Sequence, residues 1–299
     1  MIPMTLVLAA VTLTGCKPQT TDNTANAADA DTDADSDADS DADSDADTGS
    51  DSDTDAAFVE LPASTFDMGS TPGQPDDGSS ARSVTLTHAY FVGVTEVTQG
   101  QFSAVMGYNP SYFTGCEGGG QDNCPVEQVN WHEAAAYANA VSAAAGLEQC
   151  YACTGSGANV ACDVGTNPYE CNGYRLPTEA EWEGAARCGT DTAYAGSNTS
   201  ADVAWTDENS KESTHTVAGL APNACGIYDM SGNVWEWTQD WYDENPSDVA
   251  TDPIGAESGV MRHIRGGCWG YGAAVSGRFV AYPDNVQSSF GFRLSRTSP

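Results

Sequence analysis

Apolar and polar residues alternate along SVTLTHAYFVGVTEV, Ser83 to Val97, which is the period-2 signature of a half-buried strand. Three other stretches change to a helical rhythm, and each opens on a cap. In TEVTQGQFSAVMG, Thr98 can cap and Gln101 stands three residues on; in NWHEAAAYANAVSAAAG the pair is Asn130 and Glu133, and Gly146 ends the run. In PTEAEWEGAARCG the pair is Thr178 and Glu181. Such pairs satisfy each other's orphan N–H groups at a helix start. The middle helix is predicted to be the longest, with an alanine-rich face suited to close packing. Elsewhere residues 57–299 carry no long periodic segment. They are rich in Gly, Trp and Tyr, so a loop-rich domain is expected, held by staples: disulfides, buried tryptophans or metal ions.

The beginning of the chain reads differently. Met1 to Leu13 is apolar and uncharged and runs into LTGC, Leu13 to Cys16. It is shorter than the roughly 20 apolar residues of a membrane span, so residues 1–15 read as a secretion signal. A cysteine directly after Leu-Thr-Gly resembles a bacterial lipobox, in which that cysteine is lipidated and becomes the new N-terminus. The alternative is an ordinary signal peptide followed by an incidental cysteine. From Asp29 to Asp55 an Asp-Ala-Asp-Ser unit repeats with no apolar side chain larger than alanine. Such a stretch cannot offset its backbone entropy by burial, and its charges repel. Residues 16–56 are therefore expected to be a lipidated Cys16 followed by a disordered tether, and residues 57–299 the folded domain. Weak, diffuse calcium binding by the tether is the lesser alternative to a solvated spacer. The expected location is the cell envelope, facing periplasm or exterior. Lys17, in place of an aspartate after the lipid cysteine, favours the outer membrane.

The net charge of the chain is −33. Taking away the tether's 14 Asp and one Lys leaves 29 acids against 9 Lys and Arg, or −20 for residues 57–299. That excludes nucleic acid as a partner and any membrane contact except through the lipid anchor. Ten cysteines fit an oxidising compartment. Cys116 and Cys124 bracket EGGGQDN, a loop that a bridge would staple. Cys150, Cys153, Cys162 and Cys171 suggest two disulfides, although CYAC also has zinc-ligand spacing. Cys188 and Cys225 are further disulfide candidates. Nine cysteines in the domain leave at least one free or paired elsewhere. The four histidines show no HxxxH or HExxH spacing, and the chain has no phosphate-binding glycine loop and no GxSxG elbow.

Seven blocks, in order, resemble the formylglycine-generating enzyme family, also called the sulfatase-modifying-factor domain: FDMGS (66–70), TEVTQGQF (95–102), PVEQVNWHEAAAYA (125–138), YRLPTEAEWEGAAR (174–187), GIYDMSGNVWEWTQDWY (226–242), RGGCW (265–269) and GFRLSR (291–296). The resemblance implies an α+β domain with a C-type-lectin-like fold and little regular structure. It also implies a structural calcium held by the side chains of Asp229 and Glu236 and the carbonyls of Gly232 and Val234, hard oxygen ligands on a bent backbone. The alternative is a buried polar turn in which Asp229 caps local N–H groups and Glu236 pairs with an arginine. Trp235, Trp237 and Trp241 are expected in the core rather than lining a groove.

Enzymes of that family oxidise a substrate cysteine to formylglycine with oxygen. They use two cysteines five residues apart, which resemble a soft thiolate site for copper(I). The resemblance places those positions at Tyr271 and Ser276. A phenol and a hydroxyl cannot hold copper(I) as a thiolate pair does, so copper is not expected. Cys268, three residues before Tyr271, is a lone metal ligand or nucleophile, with His263 nearby in sequence, or else a buried thiol or a disulfide partner of Cys188 or Cys225. The expected function is a membrane-tethered binding or envelope-assembly module for an envelope protein, peptide or glycan, without catalysis. The alternative is a formylglycine-generating-type oxidase with an altered metal centre, acting on cysteines of exported proteins.

Overall fold

The computed structural model describes residues 57–70, 81–243, 246–247, 249–272 and 274–299. The signal segment, Cys16 and the tether lie outside the described residues. All three capping boxes form. Helix α1 (Gln99–Met106) starts at Thr98, α2 (Trp131–Ala144) at Asn130 and α3 (Glu179–Arg187) at Thr178, each with both reciprocal bonds. Gly146, at φ +69°, follows the end of α2 and donates to the Ala143 carbonyl. A short α4 (Ser200–Val203) follows.

The alternating stretch from Ser83 to Val97 is two strands rather than one: β3 (Arg82–Leu86) and β4 (Tyr90–Gly93). They part where the Thr87 N–H donates to Asp252 Oδ1 at 2.8 Å, an anchor 165 residues away. Strands β1 (Phe58–Leu61) and β14 (Ser295–Thr297) flank β4 antiparallel on either side. Strand β3 pairs with β2 (Ser64–Met68) and with β8 (Val249–Thr251). The largest sheet has the order β12 (Arg278–Ala281), β9 (Arg262–Arg265), β7 (Trp235–Trp241), β13 (Phe290–Gly291). Two hairpins complete the set: β5 (Tyr151–Thr154) with β6 (Ala161–Val164), and β10 (Gly267–Cys268) with β11 (Tyr271–Gly272).

Two cores hold these elements. One lies between α2 and the largest sheet, around Trp131, Trp237, Phe102 and Phe290, all fully buried. Two of its indoles are satisfied by main-chain carbonyls, Trp131 by Thr238 and Trp237 by Val129, each at 3.0 Å. The other lies under α3, where Trp182 meets Met68, Val84 and Leu86. Truncating any one of these rings to alanine costs about 3–5 kcal/mol. Trp235 and Trp237 are core, as expected. Trp241 is half-buried, with the Arg262 guanidinium 3.4 Å from its ring centroid.

Four disulfides join described residues: Cys116–Cys124, Cys150–Cys171, Cys153–Cys162 and Cys188–Cys225. Cys153 and Cys162 face each other across the β5–β6 hairpin. The zinc alternative for CYAC falls, because these thiols bond one another. The expectation of a bridge from Cys268 to Cys188 or Cys225 is corrected as well, since those two pair together. Cys268 is fully buried and is not a free thiol. Among the described residues no helix is long and apolar enough to cross a membrane.

Candidate functional site

The segment YDMSGNVWEW bends sharply before entering β7. Asp229, Gly232 and Asn233 all have positive φ, +59°, +86° and +58°. A Cβ on Gly232 would stand 2.2 Å from the Trp205 carbonyl oxygen, so only glycine fits there. Asp229 Oδ2 accepts the Ala218 N–H at 2.6 Å. Glu236 takes both forks of Arg293, each at 2.7 Å, and also accepts the Trp182 indole N–H at 2.7 Å. These are the features of the polar-turn alternative.

A third carboxylate completes the group. Glu96, from TEVTQGQF, accepts from Asn233 Nδ2 at 2.8 Å and from the Val234 N–H at 3.2 Å. Its block was legible in the sequence, but its contact spans 137 residues and leaves no local pattern. Burial, followed by the charges of Asp229 and Glu236, raises the Glu96 carboxyl well above the usual range. Burial pushes Asp229 up to about 6. Burial drives Glu96 toward its neutral form, and the other two buried acids, Asp229 and Glu236, still outnumber the one guanidinium they face, Arg293, which leaves an excess of negative charge. That excess and the oxygen donors suit a hard divalent cation. No group of three acidic, His or Cys side chains converges for metal binding among the described residues. A cation here would therefore rest on Asp229, on a Glu236 carboxylate shared with Arg293, and on the carbonyls of Gly232 and Val234.

The positions where the resemblance puts paired thiolates have separate partners. Tyr271, 45% exposed, lies on β11 with its ring 6.2 Å from Trp235 and 5.5 Å from Phe279. Ser276 is buried. Its hydroxyl is 3.3 Å from that of Ser70, and its carbonyl accepts from Arg265 Nη1 at 3.3 Å. Trp235 Nε1 is buried without a hydrogen-bond partner. His263 does not serve as a base for Cys268. Its Nδ1 stands 3.4 Å from Glu179 and its Nε2 is 3.3 Å from Arg278, and burial pushes it down to about 4, so the ring is neutral.

Beside the β10–β11 hairpin, the segment Asn109–Phe113 presents Tyr112, 52% exposed, and sets Phe113 edge-on to Trp269 with ring centroids 5.6 Å apart. Glu127 holds it: Oε1 accepts the Phe113 N–H at 2.7 Å, and the Glu127 N–H donates to Ser111 Oγ at 3.2 Å. Its other oxygen, Oε2, is buried and unpartnered. Burial pushes this carboxyl up to about 8. Sequence reasoning missed Glu127, because a single acid in PVEQVNW carries no signal of its burial.

The profile of the Sulfatase-modifying factor enzyme 1-like domain matches residues 44–298. The chain is 34% identical over 239 residues to the chaperone protein LppX of Paenibacillus barcinonensis, covering 70% of this chain and 79% of the relative. It is 32% identical to the formylglycine-generating enzyme of Thermomonospora curvata over 202 residues, 58% of this chain and 55% of that enzyme. It is 30% identical to the serine/threonine-protein kinase pkn1 of Chlamydia pneumoniae, over 80% of this chain but only 37% of the kinase. Among solved structures, Treponema denticola variable protein 1 superposes with a TM-score of 0.71 at 36% identity, covering 81% of this chain and 95% of that one. CarF superposes with a TM-score of 0.62 at 29% identity, covering 81% of this chain and 98% of that one. With its seven blocks in order on a mixed fold of short helices and strands, the chain belongs to the sulfatase-modifying factor, or formylglycine-generating enzyme, family.

Proposed function

We propose that this chain is a membrane-tethered, extracytoplasmic binding or assembly module that keeps the family scaffold without its copper chemistry. The observation that carries this reading is the fate of the two thiolate positions. Tyr271 stacks among aromatic rings at the surface, whereas Ser276 is buried against Ser70. Neither offers a soft ligand. Cys268, fully buried and not a free thiol, offers none either. The relatives' names, chaperone, kinase and formylglycine-generating enzyme, support a scaffold put to several uses. The ligand would be an envelope protein, peptide or glycan. It would meet the face that carries Tyr271 and Tyr112, loops on a disulfide-stapled frame. Lipidation at Cys16 and the tether to residue 56 would place that face at the cell envelope, outer membrane preferred. Calcium would be structural, on the 229–236 bend, with the excess of buried carboxylates as its support.

The test is a copper(I) titration of the oxidised chain against a thiol competitor. The expected result is no tight copper. One tight copper per chain, lost in Cys268→Ser, would overturn the reading in favour of an oxidase with an altered centre. A peptide and glycan array with wild type and Tyr271→Ala then locates the ligand face.

A further inference from the structure

Arg265 and Arg278 stand directly opposite each other on β9 and β12. Like charges in register destabilise a sheet unless something neutralises them. Two glutamates of α3 do so in part. Glu179 accepts Nε and Nη2 of Arg278, both at 2.6 Å, while Glu183 pairs with Arg265 and, at 2.7 Å, with Arg187. Arg82, from β3, joins the same cluster with no carboxylate closer than 4.0 Å among the described residues. Its Nη2 lies 4.0 Å from Glu179 Oε2 and 3.4 Å from the Met68 sulfur.

The charges do not balance. Four guanidiniums meet two buried glutamates and one further buried acid, Asp240, which burial and then the charge of Glu179 push up to about 7; a fourth acid, the exposed Asp191, lies 3.9 Å from Arg187 Nη1. His263 is neutral, as described above. Among the buried groups, four guanidiniums face three carboxyls, in a domain whose net charge is −20. Within the cluster the surface is reached by Arg82 and Arg278, whose side chains are 13% and 18% exposed. Both point an Nη2 at the same oxygen, Glu179 Oε2, so the two forks converge. Arg82 Nε and Nη1 and Arg278 Nη1 make no hydrogen bond among the described residues.

We propose that Arg82 and Arg278 form a binding site for a single oxyanion, the carboxylate, phosphate or sulfate group of a ligand. Two converging planar forks, with donors unused among the described residues, match the oxygens of such a group, and a partly desolvated setting strengthens charge-assisted hydrogen bonds. Excess positive charge left beneath them is the complement that a bound anion supplies. The site lies below the 275–276 turn, whose Val275 and Ser276 carbonyls rest on Arg265, so it adjoins the vacated thiolate position without sharing the 229–236 bend.

The test uses the whole disulfide-intact chain and titrates inorganic phosphate, sulfate and acetate at constant ionic strength with chloride as balance. Binding is read by amide chemical shifts or calorimetry. Saturable binding is expected, weakened by about tenfold or more in Arg82→Gln, which removes hydrogen bonds to a charged group. Arg82→Lys, which keeps the charge but not the fork, is expected to fall in between. Arg82 is the residue to change because Arg278 neutralises Glu179 and its loss threatens the fold. Acetate matching phosphate would assign the site to a carboxylate ligand, and phosphate or sulfate alone to a polyoxyanion; either supports the site. The proposal is overturned by the absence of saturable binding in the millimolar range. It is overturned equally by responses that are identical in wild type and Arg82→Gln, as general exclusion of sulfate from protein surface would give.

Discussion

Glu127→Gln separates the two roles of a buried carboxyl. The glutamate holds Phe113 through Oε1, while Oε2 is buried without a partner, and no Lys or Arg pairs with it among the described residues. Burial pushes it up to about 8 from an ordinary 4.5. The folded-state value is the higher one, so folding binds a proton. The native state suffers no penalty below about pH 4.5, loses stability as pH rises toward 8, and loses no more beyond that. At about 1.4 kcal/mol for each pKa unit, the loss between pH 5 and 8.5 is about 4 kcal/mol, or about 2 if water reaches Oε2. Glutamine keeps an oxygen for the Phe113 N–H and cannot ionise. Urea unfolding of both proteins at the two pH values gives the difference between them, in which other titrating groups cancel. The variant should gain on wild type by about 2–4 kcal/mol from pH 5 to 8.5. An equal gap at both pH values would refute the idea that this carboxyl is forced to ionise in an apolar place.

Three further outcomes follow from the same structure. Arg175→Met strands Glu181, which is 1% exposed and bonded to both forks at 2.6 and 2.7 Å, and should cost about 3–5 kcal/mol by urea unfolding, part of it recovered in Arg175→Met/Glu181→Gln. Calcium at about 100 times its dissociation constant should stabilise the chelator-treated chain by about 2.7 kcal/mol, with no effect in Asp229→Asn; a flat melting temperature in wild type would remove calcium from the 229–236 bend. Sodium chloride should raise the melting temperature by about 2–5 °C between low and molar salt, followed by circular dichroism, because no arginine of the domain is exposed and Lys211 is its one lysine, so the surface repels itself.

What the sequence made legible was local chemistry. Each predicted cap formed because Thr98, Asn130 and Thr178 find their partners three residues on, within one helical turn. The Cys116–Cys124 bridge was readable for the same reason, since it closes a short loop. The strand alternation at Ser83 to Val97 was real, but the break at Thr87 depended on Asp252 and could not be seen. The candidate site was read in outline through its motifs. Its energetics were not, because Glu96, Glu236 and Arg293 come from three distant blocks and meet only in the fold. The arginine cluster was missed for a related reason. Arg82, Arg265 and Arg278 lie on three strands, and their glutamates lie on a helix whose sequence already had an explanation as a capping box.

The β1–β4–β14 sheet has a consequence for the order of assembly. Strand β4 pairs on one side with Phe58–Leu61 and on the other with Ser295–Thr297. The second partner is made some two hundred residues after β4 itself, so the loop it must close is long and its pairing comes late. A nascent chain can form the helices and the β5–β6 hairpin as they emerge, but β4 keeps an unpaired edge until residues 295–297 are released. Completion of this sheet thereby waits for residues 295–297, and a chain cut before them would expose β4 as a ready template for its neighbours.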